Sequence, residues 1–62
     1  MAQLNHIELQ TLRSLIGSHD TASEKLGMYA QQSADPQVKA YFQKSAQGAS
    51  QTKQKLMGFL TS

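Results

Sequence analysis

Four residues, Ser33-Ala34-Asp35-Pro36, interrupt a chain in which apolar residues otherwise recur at helical spacing. The Asp35 carboxylate can accept from a free backbone N–H of a new helix. Pro36 suits a first helical position, where its fixed φ is correct and its missing N–H costs nothing. The same proline disfavours helical geometry at Asp35, so an incoming helix has to stop before it. A joint this short makes its two helices antiparallel neighbours. The expected fold is therefore all-α: one helical-hairpin domain over residues 1–62, with helix 5–33, turn 34–35 and helix 36–60.

The first helix has its own start signal. Asn5-His6-Ile7-Glu8 has the form of a capping box, with Leu4 and Leu9 placed for a hydrophobic staple. Met1 to Leu4 reads as a frayed lead-in. Beyond the cap, Leu9, Leu12, Leu15, Ile16, His19, Ala22, Leu26, Tyr29 and Ala30 form one stripe about 100° wide. Gly17 and Gly27 each weaken the helix by about 1 kcal/mol, but the pattern resumes in phase after both. In the second helix the stripe is Val38, Phe42, Ser45, Ala49, Thr52, Leu56, Phe59 and Leu60, with alternating spacings of three and four as in a coiled-coil seam. Gln43, Gln47, Gln51 and Gln54 project from its far side.

Folding back at Asp35 sets Leu12 opposite Leu56 or Met57, Leu26 opposite Phe42 or Gln43, and His19 opposite Ser50. One seam cannot cover a stripe this wide on both helices. A 62-residue chain with no cysteine also has no disulfide to staple it. The expected remedy is a second copy, giving a two-fold homodimer that is a four-helix bundle. The residues expected to form the core and dimer interface are Leu9, Leu12, Leu15, Ile16, His19, Leu26, Tyr29, Val38, Phe42, Ala49, Leu56 and Phe59.

Charge narrows the function. Residues 1–35 hold Arg13 and Lys25 against Glu8, Asp20, Glu24 and Asp35, whereas residues 36–62 hold Lys39, Lys44, Lys53 and Lys55 with no acid. That contrast favours the two helices lying side by side. The four lysines split between two flanks, which argues against nucleic acid as a partner. No run of about 18 apolar residues is present for a membrane span, and no charged-then-apolar signal region opens the chain.

Chemistry is sparse. There is no glycine-rich phosphate loop and no cysteine nucleophile, and no enzyme activity or cofactor is expected. No metal ligand set is expected either, because neither Glu8 nor Glu24 has a histidine three residues on. His19 is the most pointed residue, set in the apolar stripe near the middle of its helix. It reads as a packed histidine, and as a switch if it meets its mate across the dimer axis. The alternative function class is a metal- or small-ligand-binding bundle that uses the interior around His19.

Asp35-Pro36-Gln37-Val38-Lys39, then Tyr41, Ser45, Gln47-Gly48, Gln51, Leu56 and Phe59, resembles the repeated pattern of the spore coat protein F family. The match covers about the last 28 residues well and the remainder by architecture. The resemblance implies a ferritin-like helical bundle and a structural, non-catalytic role. It also implies a place in the cytoplasm of a sporulating cell or in its coat, with other coat proteins as partners. The chain departs from the family in being a single hairpin. It lacks the carboxylate and histidine set of metal-binding ferritin-like proteins, so iron chemistry is not implied.

Overall fold

The structure, a computed structural model, describes residues 4–61; the lead-in Met1–Gln3 lies outside them, as does Ser62. Two helices account for nearly all of it: α1 (His6–Gln32) and α2 (Pro36–Thr61). They pack antiparallel along their whole length in a rod of 46 × 16 × 11 Å. Its radius of gyration is 14.4 Å, where a compact chain of this length has about 11 Å. The expected boundaries differ from these by a single residue at three of the four ends. The cap residue Asn5 and the C-cap Ser33 have extended backbones that place them outside α1.

Both helix starts are built as the residues dictate. The Glu8 N–H donates to Asn5 Oδ1 at 2.8 Å, and the Asn5 N–H donates to Glu8 Oε1 at 3.1 Å, closing a reciprocal capping box. At the turn, Asp35 Oδ1 accepts from the N–H groups of Gln37 (2.8 Å) and Val38 (3.2 Å). The Lys39 N–H reaches the Asp35 carbonyl at 2.9 Å, the first backbone bond of α2. α1 is closed by Ser33, whose hydroxyl donates to the Tyr29 carbonyl at 2.6 Å and whose N–H donates to Ala30 at 3.4 Å. The turn thus satisfies backbone groups on both sides of itself.

Three cross-helix pairs fix the register. Tyr29 meets Phe42 with ring centroids 5.6 Å apart near the turn. The Ser23 hydroxyl donates to the Ala46 carbonyl at 3.1 Å near the middle. Further along, the Lys53 ammonium donates to Asp20 Oδ1 at 2.8 Å. Opposed residue numbers therefore add to about 70, the spacing a hairpin folded at Asp35 requires.

α1 runs unbroken through Gly17, and α2 through Gly48 and Gly58. A Cβ added at any of these would meet nothing within 4 Å. Packing inside the hairpin therefore gives no reason for glycine at Gly17. Gly17→Ala should stabilise the fold by about 1 kcal/mol in chemical denaturation. Asp35→Ala should cost about 1 kcal/mol by removing the cap of α2.

Candidate functional site: the open side of the hairpin

Only Leu12 and Ala30 are buried among the described residues, at 8% and 3% exposure. Half-buried residues mark the remainder of the seam. In α1 they include Leu9, Ile16, His19, Ser23 and Leu26; in α2 they are Phe42, Ser45, Ala46, Ala49, Ser50, Lys53 and Leu56. Eight of the twelve expected interface residues therefore lie along this seam: Leu9, Leu12, Ile16, His19, Leu26, Phe42, Ala49 and Leu56. The other four, Leu15, Tyr29, Val38 and Phe59, are exposed on the single hairpin.

Those four share one side. At 100° per residue, Thr11, Leu15, Ser18, Ala22 and Tyr29 lie about a quarter-turn from the seam of α1. Val38, Tyr41, Ser45, Gly48, Thr52 and Phe59 lie at a smaller or similar angle from the seam of α2. Because the helices run in opposite directions, the two flanks fall on the same broad side of the rod. Side-chain contacts agree at both ends. Near the open end, Phe59 of α2 joins Leu4, Ile7, Thr11, Leu12 and Leu15 around a shallow groove of about 350 Å³, with Glu8 at its edge. Near the turn, Tyr29 and Tyr41 both pack against Phe42, the second pair edge-on at 6.1 Å.

This open side is bulky at its two ends and small between them, where Ser18, Ala22, Ser45, Gly48 and Thr52 lie. The opposite side is mainly polar, with Met57 as its exposed apolar residue in α2. It carries Arg13, Glu24 and Gln31 from α1, Gln43, Gln47 and Gln54 from α2, and the Lys53–Asp20 ion pair. The glutamines of α2 thus project away from the seam, as their spacing predicts.

The accessible surface of the whole chain is 4853 Å². A compact monomer of 6.8 kDa exposes about 4,000 Å². The surplus of roughly 900 Å² reflects the rod shape, 46 × 16 × 11 Å, which leaves each helix covered on one strip only.

His19 lies part-buried beside the seam, and its Nδ1–H donates to the Leu15 carbonyl one turn earlier at 2.8 Å. The bond fixes the ring against its own helix and leaves Nε2 as the free nitrogen. Among the described residues no three histidine or carboxylate side chains are grouped to hold a metal ion. No helix among them is long and apolar enough to cross a membrane.

Sequence reasoning missed the central seam contacts, Ser23 with Ala46 and Lys53 with Asp20. The expected stripe of α2 is centred near Val38 and Leu56 and has Thr52 and Phe59 at one edge, whereas the seam turns away from that edge toward Ala46, Ser50 and Lys53. A signal was present. Asp20 and Lys53 are opposite charges within one helical turn of the same level once the hairpin folds at Asp35, and the lysine stem spans the remaining distance.

Comparison with known proteins finds no family whose pattern matches this chain, no characterised protein matching it in sequence and no solved structure matching it in fold.

Lys53 is 27% exposed and Asp20 50%, so the ion pair is largely screened by solvent. Lys53→Met keeps the packing of the stem and removes only the charge. It should change stability by no more than about 1 kcal/mol. Lys53→Asp, which sets two carboxylates together and loses the stem, should cost clearly more in the same denaturation assay.

Proposed function

We propose that this chain is a small, non-catalytic self-association module whose open side meets the same side of a second copy, completing a four-helix bundle. The surplus of exposed surface carries the reading. The rod exposes roughly 900 Å² more than a compact chain of its mass, and on one side of it Leu15, Tyr29, Val38 and Phe59 are 42–55% exposed. A cluster of exposed apolar side chains on one side is the mark of an interaction surface. Pairing also supplies what a short chain with two buried residues among those described lacks, a core thick enough to offset chain entropy.

Glycine at Gly48 supports the same reading. It lies mid-helix with open space around it, so its cost to α2 has no compensation within the hairpin. On the open side, a missing side chain lets a second backbone approach closely. The role is structural: the module joins copies of itself and whatever is attached to them. A spore-coat setting, with coat proteins as further partners, rests on the resemblance of Asp35–Lys39, Gln47-Gly48 and the residues around them to the spore coat protein F family. A homologue search confined to spore-forming genomes and a coat-fraction immunoblot would test that setting independently of pairing.

Sedimentation equilibrium from nanomolar to millimolar chain should show a monomer–dimer equilibrium, with a melting temperature that rises with concentration. Leu15→Glu puts a charge on the open side, at the groove it shares with Leu12 and Phe59, so the folded fraction of the variant is read from its helical signal in the same samples. It should raise the dimer dissociation constant at least a hundredfold, the effect of an uncompensated interface charge costing about 3 kcal/mol. Gln47→Glu, on the polar side, should leave that constant unchanged within a factor of about two. A monomer at every concentration, fully folded, would defeat the reading.

A further inference from the structure

We infer that a basic rim around the open side opposes pairing and makes ionic strength its regulator; the inference rests on the self-association proposed above. At 100° per residue, Lys25 of α1 and Lys44 and Lys55 of α2 fall roughly 50–60° outward from the midline of the open side. All three are exposed. Leu15, Tyr29, Val38 and Phe59 lie nearer that midline, so the lysines flank the apolar residues. Charges that flank an apolar contact between helices face each other across it and set which partners are accepted.

No acid balances this rim. Asp20 and Glu24 lie on the opposite side, and Asp20 is already paired with Lys53. Asp35 caps α2 at the turn. Glu8 is the one carboxylate on the open side among the described residues. It lies at the far end from Lys25 and Lys44, where its Oε1 accepts from the Asn5 N–H.

A two-fold axis between facing hairpins brings lysine to lysine whichever way it runs. An axis along the helices keeps every residue at its level and sets α1 over α2 of the second copy. Opposed residue numbers add to about 70, so Lys25 then meets Lys44 of the second copy. An axis across the helices sets each helix over its own copy with the levels reversed. Full overlap of the rods puts that axis near residues 20 and 50, and Lys44 then meets Lys55 of the second copy. Each contact occurs twice in the pair, and Lys44 takes part under either axis. Like charges in water repel over the screening length, about 30 Å in 10 mM salt and about 3 Å in 1 M. Added salt therefore lifts the repulsion and leaves the apolar contact in place. Copies stay apart in dilute salt and join as ions screen the rim.

Sedimentation equilibrium of the full chain and of Lys44→Glu, in sodium chloride from about 10 mM to about 500 mM, tests the rim. The unchanged chain should show a dimer dissociation constant that falls at least threefold over this range. Lys44→Glu sets a carboxylate against Lys25 or Lys55 of the second copy, so it reverses the sign under either axis. It should pair more tightly than the unchanged chain in dilute salt, and its dissociation constant should rise with salt. That reversal separates the rim from a general effect of salt on apolar contact, which moves both chains alike. A dimer in which both chains respond alike, or neither responds, overturns the inference and leaves self-association standing. Monomers of both chains at every concentration and salt overturn both.

Discussion

Two helices in contact can hide only the strips that face each other. That geometric limit governs this molecule. Each helix carries an apolar and small-residue arc wider than one seam, so part of every arc is left in water. The consequence is visible in the burial pattern of the described residues: two buried, a row half-buried and a side lined by Leu15, Tyr29, Val38 and Phe59. Lengthening the hairpin would not help, because exposed and covered area grow together along a rod. Only a further layer changes the ratio of covered to open surface.

What the sequence revealed and what it concealed follow from the same limit. The turn was legible because Asp35 and Pro36 act locally, through a cap and a fixed φ that need no tertiary context. The start of α1 was legible for the same reason, through Asn5 and Glu8. Register followed from the position of the turn. Which part of each arc faces which neighbour was not legible, because periodicity reports the width of an apolar arc and not its division between two partners. Between the large seam residues Ile16, Leu26, Phe42 and Leu56, the hairpin set small ones, Ser23, Ala46 and Ala49, over which the backbones approach closely enough for a serine hydroxyl to reach a carbonyl. Bulkier Val38 and Phe59 were displaced to the open side. Lys53 was concealed because a charged residue reads as solvent-facing, although its four-carbon stem lies along the seam and only its ammonium stands at the edge, beside Asp20.

The polar side has a part in this as well. A rod with apolar flanks on both sides would stack without end, each added copy offering a new sticky face. Here the side away from Leu15 and Tyr29 carries glutamines, Arg13, Glu24 and the Lys53–Asp20 pair, which hydrate well, with Met57 as an exposed apolar side chain among them. Covering the open side of one hairpin with another therefore leaves a bundle whose two outward sides are both mainly polar. The contrast between the sides is what the proposed closed pair requires, since the apolar side chains cluster more on one side of the hairpin than on the other. It also explains why the glutamines are an economical choice for α2: they favour the helix, keep the outer surface wet, and add no charge to a helix that already holds four lysines.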